Sequence, residues 1–410
     1  MRHLILMVLL LGLPVLLSCH KENPNEPPQE NIYPQVDIPW PSLADSPWPI
    51  PYGNPQCTGR SKYPGPSEGK IAWIYTEEKM SRAYRCPVIG EDGTVYISDD
   101  RNLFAIHADG TLKWKFTRGN MTESNIMIGS GDVIYFSTGS IVRDRNYQGY
   151  LYKLDSNGNV LWEYWTTDMP LSYGSTLGID GTIYFTDAGG YLHAVNTDGS
   201  LKWKTKGSGG FKSMWAISIS ISPDGSTLYA HGIDSTMNAV NAQTGDLIWQ
   251  IPVSYGYFAK IAPLVDNAGN VYFFANANNR DYVCSVNKNG EIRWKYTNEE
   301  IYQLAFRCGM HIDYDGNLYF SNGKDVYSLT NDGKFRWKAP LPRSGSVSPI
   351  IGDVNNNIYI ACSEESVVSF DQNGNQRFDV RIEGFGYLVN GALSAGRLYV
   401  GASCKFICIK

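Results

Sequence analysis

The feature that most limits how this chain can fold is a unit that recurs every 41 to 48 residues, marked by a glycine four positions before an aromatic residue. In residues 175–205 the unit reads STLGIDGTIYFTDAGGYLHAVNTDGSLKWKT, with alternating apolar stretches separated by Asp180-Gly181 and Asp198-Gly199. Asp-Gly is a hairpin turn signal, so the unit predicts four antiparallel strands. A four-stranded unit of this period is typical of a β-propeller blade. The glycine–aromatic pairs are Gly110/Trp114, Gly158/Trp162, Gly199/Trp203, Gly245/Trp249, Gly290/Trp294, Gly333/Trp337 and Gly374/Phe378.

The two ends of the chain indicate the number of blades. After Phe378 the sequence predicts only three more strands, at residues 391–394, 397–401 and 405–410. Residues 70–76, KIAWIYT, resemble a lone fourth strand that carries its own aromatic residue, Trp73. We therefore predict an all-β fold, a single eight-bladed β-propeller over residues 69–410, in which the N-terminal strand completes the C-terminal blade. This closure removes the open edges that a linear array of sheets would expose.

Composition supports this fold and excludes one class of partner. The chain has 41 Gly, 27 Tyr and 11 Trp, which suits many short strands joined by tight turns. Its formal net charge is −5, without a clustered basic stretch. Because nucleic-acid binding requires a basic face, we expect no nucleic-acid partner.

The first 19 residues have the features of a bacterial lipoprotein signal. Arg2 and His3 precede an apolar run of 14 residues that ends at Leu17. This run has signal-peptide length and is shorter than the ~20 residues of a membrane span. The next residues, Ser18-Cys19, complete what resembles a lipobox, whose cysteine receives a diglyceride and an amide-linked acyl chain such as palmitate. The pattern predicts a signal peptide at residues 1–18 and a lipid anchor at Cys19. The alternative is an ordinary secretory peptide with an incidental cysteine.

Residues 19–68 are predicted to form a tether between the lipidated cysteine and the propeller. Residues 20–68 hold 12 of the 21 prolines, and a proline-rich chain is extended and cannot build a strand ladder. Tyr33, Trp40, Trp48 and Tyr52 are unusual in a solvated linker. They either lie against the propeller wall or form a recognition segment for a partner. His20, in place of the aspartate that retains enteric lipoproteins in the inner membrane, favours the outer membrane and leaves the membrane face open.

The repeat resembles that of pyrroloquinoline-quinone-type propellers, the quinoprotein alcohol dehydrogenase-like family, in which Ala-x-Asp-x-x-Thr-Gly-x-x-x-Trp docks each Trp between blades. The segment from Ala239 to Trp249, AVNAQTGDLIW, is similar to this motif, and small residues occupy the alanine position in most units, with Lys153 as a departure. A lipidated eight-blade propeller of this size is also similar to the scaffold of the outer-membrane β-barrel assembly machine, which implies an envelope protein partner. The resemblance implies structural, blade-docking roles for Trp73, Trp114, Trp162, Trp203, Trp249, Trp294, Trp337 and Phe378.

The same resemblance gives criteria for enzymatic activity. Quinoprotein dehydrogenases hold the quinone against adjacent cysteines and use a metal ion with Glu, Asn and Asp ligands. This chain has no two adjacent cysteines and no Cys-x-x-Cys-His haem motif. Residues 313–317, DYDGN, look like the start of a calcium loop, but the closing Glu is missing and other units have a hairpin turn at this place. We therefore predict no catalytic residues, no metal site and no quinone or other cofactor, and hence a protein that is not an enzyme.

The loops that feed the innermost strand of each blade are expected to line one mouth of the central channel. These loops carry a small set of cationic and aromatic residues, and two of them contain the similar segments AYRC and AFRC. Such residues either hydrogen-bond loop carbonyls or form a funnel for an anionic group, such as a peptide carboxylate or an acidic glycan. The candidate contacts are Arg85, Trp215, Lys260, Arg307 and Tyr387.

Three functions therefore remain open. Our leading prediction is a non-catalytic scaffold that binds another envelope protein, and the alternatives are a surface receptor for a glycan or small ligand and a quinone-dependent dehydrogenase. Seven cysteines remain besides Cys19, and the sequence indicates no pairing among them. Cys57 is placed where a disulfide could join the tether to the ring.

Overall fold

The computed structural model describes residues 33–78, 80, 86–99, 101–117, 125–142, 146–166, 171–187, 189–206, 210–211, 219–232, 234–253, 262–277, 280–301, 309–345, 347–362, 366–382, 388–402 and 404–410. Within these ranges the regular structure is entirely β, with strands that form eight four-stranded antiparallel sheets. This confirms the prediction of a single eight-bladed β-propeller. In each blade the strands are called A to D from the channel outward.

The first strand of the chain, β1 (Ile71–Tyr75), belongs to the last blade. Blade 1 comprises β2 (Val88–Ile89), β3 (Val95–Ser98), β4 (Asn102–Ile106) and β5 (Leu112–Thr117). Blade 2 comprises β6 (Met127–Gly129), β7 (Val133–Val142), β8 (Asn146–Leu154) and β9 (Val160–Thr166). Blade 3 comprises β10 (Leu171–Leu177), β11 (Ile183–Asp187), β12 (Leu192–Val195) and β13 (Leu201–Thr205). Blade 4 comprises β14 (Ser220–Ile221), β15 (Thr227–His231), β16 (Thr236–Asn241) and β17 (Leu247–Pro252).

The second half of the ring repeats this order. Blade 5 comprises β18 (Leu264–Val265), β19 (Val271–Ala277), β20 (Arg280–Val286) and β21 (Ile292–Tyr296). Blade 6 comprises β22 (His311–Ile312), β23 (Leu318–Ser321), β24 (Asp325–Leu329) and β25 (Phe335–Pro340). Blade 7 comprises β26 (Ile351–Gly352), β27 (Ile358–Cys362), β28 (Ser366–Phe370) and β29 (Gln376–Arg381). Blade 8 comprises β30 (Leu388–Ser394), β31 (Arg397–Ala402), β32 (Lys405–Ile409) and β1.

Burial explains why strands B and C read as nearly continuous apolar runs. In blade 6, for example, every residue of β23 and β24 is buried, because each of these strands packs against a neighbouring blade on both faces. Strand D contains only exposed and half-buried residues in β21, for example. The hydrophobic core is therefore a series of inter-blade clusters around the channel.

The aromatic residue of each strand D packs on the glycine of the next blade's C–D turn. A Cβ added at Gly290 would lie 2.9 Å from the Trp249 ring, and Gly290 also has a φ of 83°, so only glycine suits this position. Each Trp also donates its indole N–H to a carbonyl of the same turn, as Trp294 does to Asn331 at 2.9 Å. The acceptors for Trp73, Trp114, Trp162, Trp203, Trp249 and Trp337 are Ala108, Ser156, Thr197, Ala242, Lys288 and Gln372.

The ring closes where the two ends of the chain meet. β1 pairs with β32 in antiparallel register, and the backbones of Lys70 and Lys410 exchange hydrogen bonds of 3.0 and 2.8 Å. Blade 8 therefore lacks a continuous C–D turn, and Gly69 takes the place of the turn glycine against Phe378. This confirms the predicted closure by the N-terminal strand.

Candidate functional site: the plugged channel

The innermost strand of each blade turns one edge toward the channel, where its backbone groups need partners. Residues 33–68, here called the plug, supply them. In six blades the second residue of strand A donates its N–H to a plug carbonyl over 2.8 to 3.2 Å. The donor–acceptor pairs are Ile89–Trp48, Ile128–Pro49, Ile221–Pro55, Val265–Gln56, Ile312–Thr58 and Gly352–Gly59.

The plug also contacts the two remaining blades. In blade 3 the Trp40 indole donates to the Leu177 carbonyl at 2.9 Å, and the Ser42 hydroxyl donates to the Gly178 carbonyl at 2.6 Å. In blade 8 the Gly396 N–H donates to the Pro64 carbonyl at 2.8 Å. A single segment thus hydrogen-bonds to all eight blades at the end of the channel that carries the A–B turns.

The tether predicted for residues 19–68 therefore includes a packed segment. Trp40, Trp48 and Tyr52 are buried in the plug, whereas Tyr33 is exposed. The sequence left two interpretations for these aromatics, and the structure shows the three buried ones packed inside the ring. Their apolar surface explains why a proline-rich stretch is held in place without forming regular strands.

A buried cation ties the beginning of the plug to its later part. The Arg60 side chain is buried and its Nη2 donates to the Val36 carbonyl at 3.0 Å. Its guanidinium lies 5.0 Å from the centroid of the Tyr314 ring and 3.8 Å from the Asp37 carboxylate. The Tyr314 hydroxyl donates to the same carboxylate at 2.8 Å. Burial lowers the pKa of Arg60, and the nearby Asp37 carboxylate opposes that shift.

His311 is enclosed between the plug and blade 7. Its Nδ1 lies 2.9 Å from the Thr58 carbonyl, which can only accept, so Nδ1 carries the proton. Burial, with a smaller contribution from the charge on Arg60, lowers the pKa of His311 to about 3. A Cβ added at Gly352 would lie 2.1 Å from the other ring nitrogen. The imidazole is therefore uncharged at neutral pH, and its Nδ1–H donates to the Thr58 carbonyl.

The residues predicted to line the channel mouth, Arg85, Trp215, Lys260, Arg307 and Tyr387, lie outside the described residues, as does the predicted lipidation site Cys19. Cys57 is buried as a free thiol in the plug, with its Sγ 4.0 Å from the carbonyls of Pro55 and Ile219. Burial raises its pKa well above the usual value. The hypothetical disulfide from Cys57 to the ring is not present.

The stretch that looks like a calcium loop is a hairpin turn. The Gly316 N–H donates to the Asp313 carbonyl at 3.2 Å, and the Asp313 carboxylate accepts from Asn317 and from the Tyr319 hydroxyl. These bonds use the oxygens that a metal would need. Across the described ranges no group of three or more His, Cys, Asp or Glu side chains has the arrangement of a metal site. Among these same residues no helix has the length and hydrophobicity to span a membrane.

Comparison with protein families gives one match that spans the ring. A family model described as outer membrane protein assembly factor BamB matches residues 65–215, 148–250 and 214–409. These segments together span most of the chain. No curated protein sequence matches significantly.

Several solved structures share the fold. BamB from Moraxella catarrhalis has a TM-score of 0.62 at 12% identity, over 83% of this chain and 99% of that one. Quinohemoprotein alcohol dehydrogenase ADHIIG from Pseudomonas putida HK5 has a TM-score of 0.70 at 12% identity, over 92% and 83%. A virginiamycin B lyase from Staphylococcus aureus has a TM-score of 0.53 at 14% identity, over 84% and 99%. At such identities the likeness establishes the fold, which hosts both enzymes and an assembly factor.

Proposed function

Because this chain belongs to the family described as outer membrane protein assembly factor BamB, we propose that it is a non-catalytic envelope lipoprotein that acts as a protein-interaction scaffold in outer-membrane protein assembly. One observation carries this proposal. The plug hydrogen-bonds to all eight blades at one end of the channel, so the chain itself fills that space. A channel closed at this end by its own chain leaves the blades and their turns as the described surfaces for recognition, and such extended surfaces suit macromolecular partners.

The location in this proposal depends on the N-terminal sequence. A diacylated Cys19 would hold the propeller at a membrane, and His20 favours the outer membrane. Replacement of Cys19 by Ser in the full-length chain should abolish incorporation of labelled palmitate. Unchanged palmitate labelling after this replacement would contradict the anchor.

The scaffold role is tested by affinity purification of the tagged full-length chain from detergent-solubilised membranes. We expect a stoichiometric partner from the β-barrel assembly machinery, identified by mass spectrometry. A C19S chain, which lacks the acyl chains, is the matched control for contacts made through lipid alone. Recovery of the intact wild-type propeller with no stoichiometric partner would refute the scaffold role.

Two other functions would give distinct results. A quinone-dependent dehydrogenase would show quinone absorbance after reconstitution with pyrroloquinoline quinone and a divalent metal, followed by alcohol-dependent dye reduction. A surface glycan receptor would bind on a glycan array in the absence of any protein partner. We expect neither signal, because the proposed function requires no cofactor and no glycan.

A further inference from the structure

Each pair of neighbouring blades encloses a slot on the plugged face of the ring. The slot is bounded by the strand-B tyrosine and the A–B turn of one blade and by the C–D turn of the next. In blade 5 the Arg293 side chain fills it, with Nη1 donating to the Tyr272 hydroxyl at 3.0 Å and to the Ser285 hydroxyl at 2.9 Å. Its Nη2 donates across to Asn331 of blade 6 at 2.9 Å. Arg336 and Arg377 make the same pairs of bonds, to Tyr319 and Ser328 and to Tyr359 and Ser369.

Blades 1 and 3 fill the slot with lysine from the same position of strand D. Lys113 Nζ lies 2.8 Å from Asp92 Oδ2 and 3.1 Å from the Thr94 hydroxyl. In blade 3 the equivalent Lys202 Nζ lies 3.1 Å from Asp180 Oδ2 and 3.2 Å from the hydroxyl of Thr182. The acceptor in both blades is an aspartate of the A–B turn together with the hydroxyl two residues later.

Blades 2 and 8 fill the slot from other strands. Lys153, the residue that departs from the repeat, lies 5.5 Å from the Tyr135 ring centroid and donates to the Thr197 carbonyl at 3.2 Å. In blade 8 Arg397 of strand B donates to the Ala108 carbonyl at 2.8 Å. Seven of the eight slots therefore contain a cation from their own blade, whichever strand supplies it.

Blade 4 is the exception. Ile248 stands where blades 1, 3, 5, 6 and 7 have lysine or arginine, and residues 213–259 contain neither amino acid. At this junction the structure has an open cavity of ≈ 300 Å³. Its walls include Asp224, Ser226 and Tyr229 of blade 4 and Lys288 of blade 5. The cavity thus occupies the place that a cationic side chain fills elsewhere in the ring.

The acceptor groups for a cation are already in position. Asp224 Oδ1 accepts from the hydroxyl of Ser222 at 2.5 Å and from the N–H and hydroxyl of Ser226 at 3.1 and 2.8 Å. Within the described residues no hydrogen bond reaches Asp224 Oδ2, the oxygen equivalent to those that bind Lys113 and Lys202. Burial opposes ionisation of this carboxyl, but the serine hydrogen bonds outweigh it and lower its pKa. Asp224 is therefore ionised at neutral pH.

Among the described residues, Lys288 is the one cation in the cavity lining. In the described structure it forms no ion pair with Asp224, and its backbone carbonyl is used by the Trp249 indole at 2.9 Å. Its charge on the far wall weakens the attraction for a second cation. Removal of the Lys288 charge should therefore strengthen the binding of a cation in this cavity.

We propose that the slot between blades 4 and 5 binds an alkylammonium or guanidinium group, supplied by a lysine or arginine side chain of a protein partner. The cation would lie between Asp224 and Ser226, as Lys113 and Lys202 do in their own blades, with the Tyr229 hydroxyl available to a guanidinium. One charged side chain at a half-open site binds weakly, so the slot is an anchor point within a larger interface. This inference does not depend on the outer-membrane assembly role.

The test uses the full-length protein and small probes. Calorimetric titration with N-acetyl-glycyl-lysyl-glycine amide and its arginine counterpart should give dissociation constants on the order of millimolar. The citrulline peptide, which has the arginine shape without its charge, should bind at least tenfold more weakly. Asp224→Asn should weaken binding of the lysine peptide at least fivefold. Equal binding of the citrulline peptide, equal binding to D224N or no binding of either cationic peptide would overturn the proposal.

A second arm distinguishes the source of the cation. Butylammonium carries the same ammonium group without a peptide backbone and should bind more weakly than the lysine peptide. Equal affinity would overturn the assignment to a partner's side chain and indicate a free amine. Lys288→Gln should raise the affinity of the lysine peptide about two- to threefold, and a loss of affinity in folded K288Q would also contradict the site.

In a third arm, a cationic side chain of the protein itself is placed in the slot. Ile248→Lys recreates the lysine of blades 1 and 3 and should abolish binding of the lysine peptide while raising the unfolding temperature. Ile248→Gln is the matched neutral control and should leave binding intact. A folded I248K protein that binds the peptide like the wild type would overturn the proposal.

Discussion

The ring and the plug of this protein both hold neighbouring blades together, but they do so in opposite ways. The ring repeats one arrangement, in which an aromatic side chain packs on a glycine and its indole bonds to a turn carbonyl. The plug has no sequence repeat, and although it accepts a strand-A N–H from six blades, a different plug residue supplies the carbonyl each time. Docking indoles such as Trp294 stay half-buried, whereas Trp48 of the plug is fully buried. A lost contact in the ring is therefore local, while a lost contact in the plug affects several blades.

We expect the largest effect from shortening the most buried side chain of the plug, Trp48. Trp48 packs in a cluster that includes Ile89 of blade 1, Ile351 of blade 7 and Leu393 of blade 8. We expect Trp48→Ala to lower the free energy of unfolding by about 3–5 kcal/mol, since it removes a buried indole and leaves a cavity. Urea denaturation followed by circular dichroism measures this change.

Two variants make the result specific. Tyr33→Ala removes an exposed aromatic from the same segment and should change the unfolding free energy by less than about 0.5 kcal/mol. Trp294→Ala removes a half-buried docking indole and should cost less than W48A. A cost for W48A that matches Y33A would mean that the plug does not hold the blades together.

The second prediction concerns the pH dependence that the plug imposes. His311 has a pKa of about 3 in the fold, compared with about 6.5 in an unfolded chain. Between these values the unfolded state binds one more proton, so stability falls as the pH falls below 6.5 and is restored as the pH rises. From pH 7 to pH 5 this amounts to about 2 kcal/mol.

Denaturation at a series of pH values measures this slope. His311→Gln removes the titrating group and should give a flatter dependence over the same range. The control is His107→Gln, because His107 is exposed on the ring, and it should keep the wild-type slope. If H311Q and H107Q show the same slope, burial of His311 is not the source of the pH dependence.

The sequence predicts the strands of the ring but not the packing of the plug. The four strands expected in residues 175–205 correspond to β10, β11, β12 and β13 within a few residues, because hairpin signals and alternation are local and recur in every unit. The sequence assigns the plug to the tether, since the plug's partners lie as far along the chain as Gly396, which bonds to Pro64, and proline-rich composition gives no sign of them. Long-range contacts made once leave no periodic pattern.

The cations that fill the slots between blades are also explained by the structure and not by the sequence. The sequence marks Lys153 as a departure from the repeat, and its reason is apparent only in the structure, where this lysine occupies the slot that a strand-D cation fills in five other blades. The empty slot of blade 4 depends on the absence of a cation from strands B, C and D together. No single position of the repeat reveals it.

The third prediction tests how much the indole hydrogen bond contributes to the ring. Trp294→Phe removes the 2.9 Å bond to the Asn331 carbonyl and keeps an aromatic ring on Gly333. We expect a loss of about 1 kcal/mol in unfolding free energy. Phe378 already lacks this bond at the junction where the C–D turn is interrupted, so Phe378→Trp should gain less than W294F loses. An equal gain would show that a backbone carbonyl at the closure accepts the indole N–H, as in the continuous C–D turns.

The smallest expected effect concerns a filled slot. Lys113 donates to Asp92 at 2.8 Å, and the carboxylate is half exposed, so water and salt screen the pair. We expect Lys113→Met to lower the unfolding free energy by about 0.5 kcal/mol at low salt, and the difference should shrink in 1 M NaCl, where screening acts over about 3 Å. A loss above about 2 kcal/mol that salt leaves unchanged would mean that the slot cations are structural requirements of the ring. In that case blade 4 would need its own compensation, whereas a small, salt-sensitive loss explains how one blade leaves its slot open for a partner's cation.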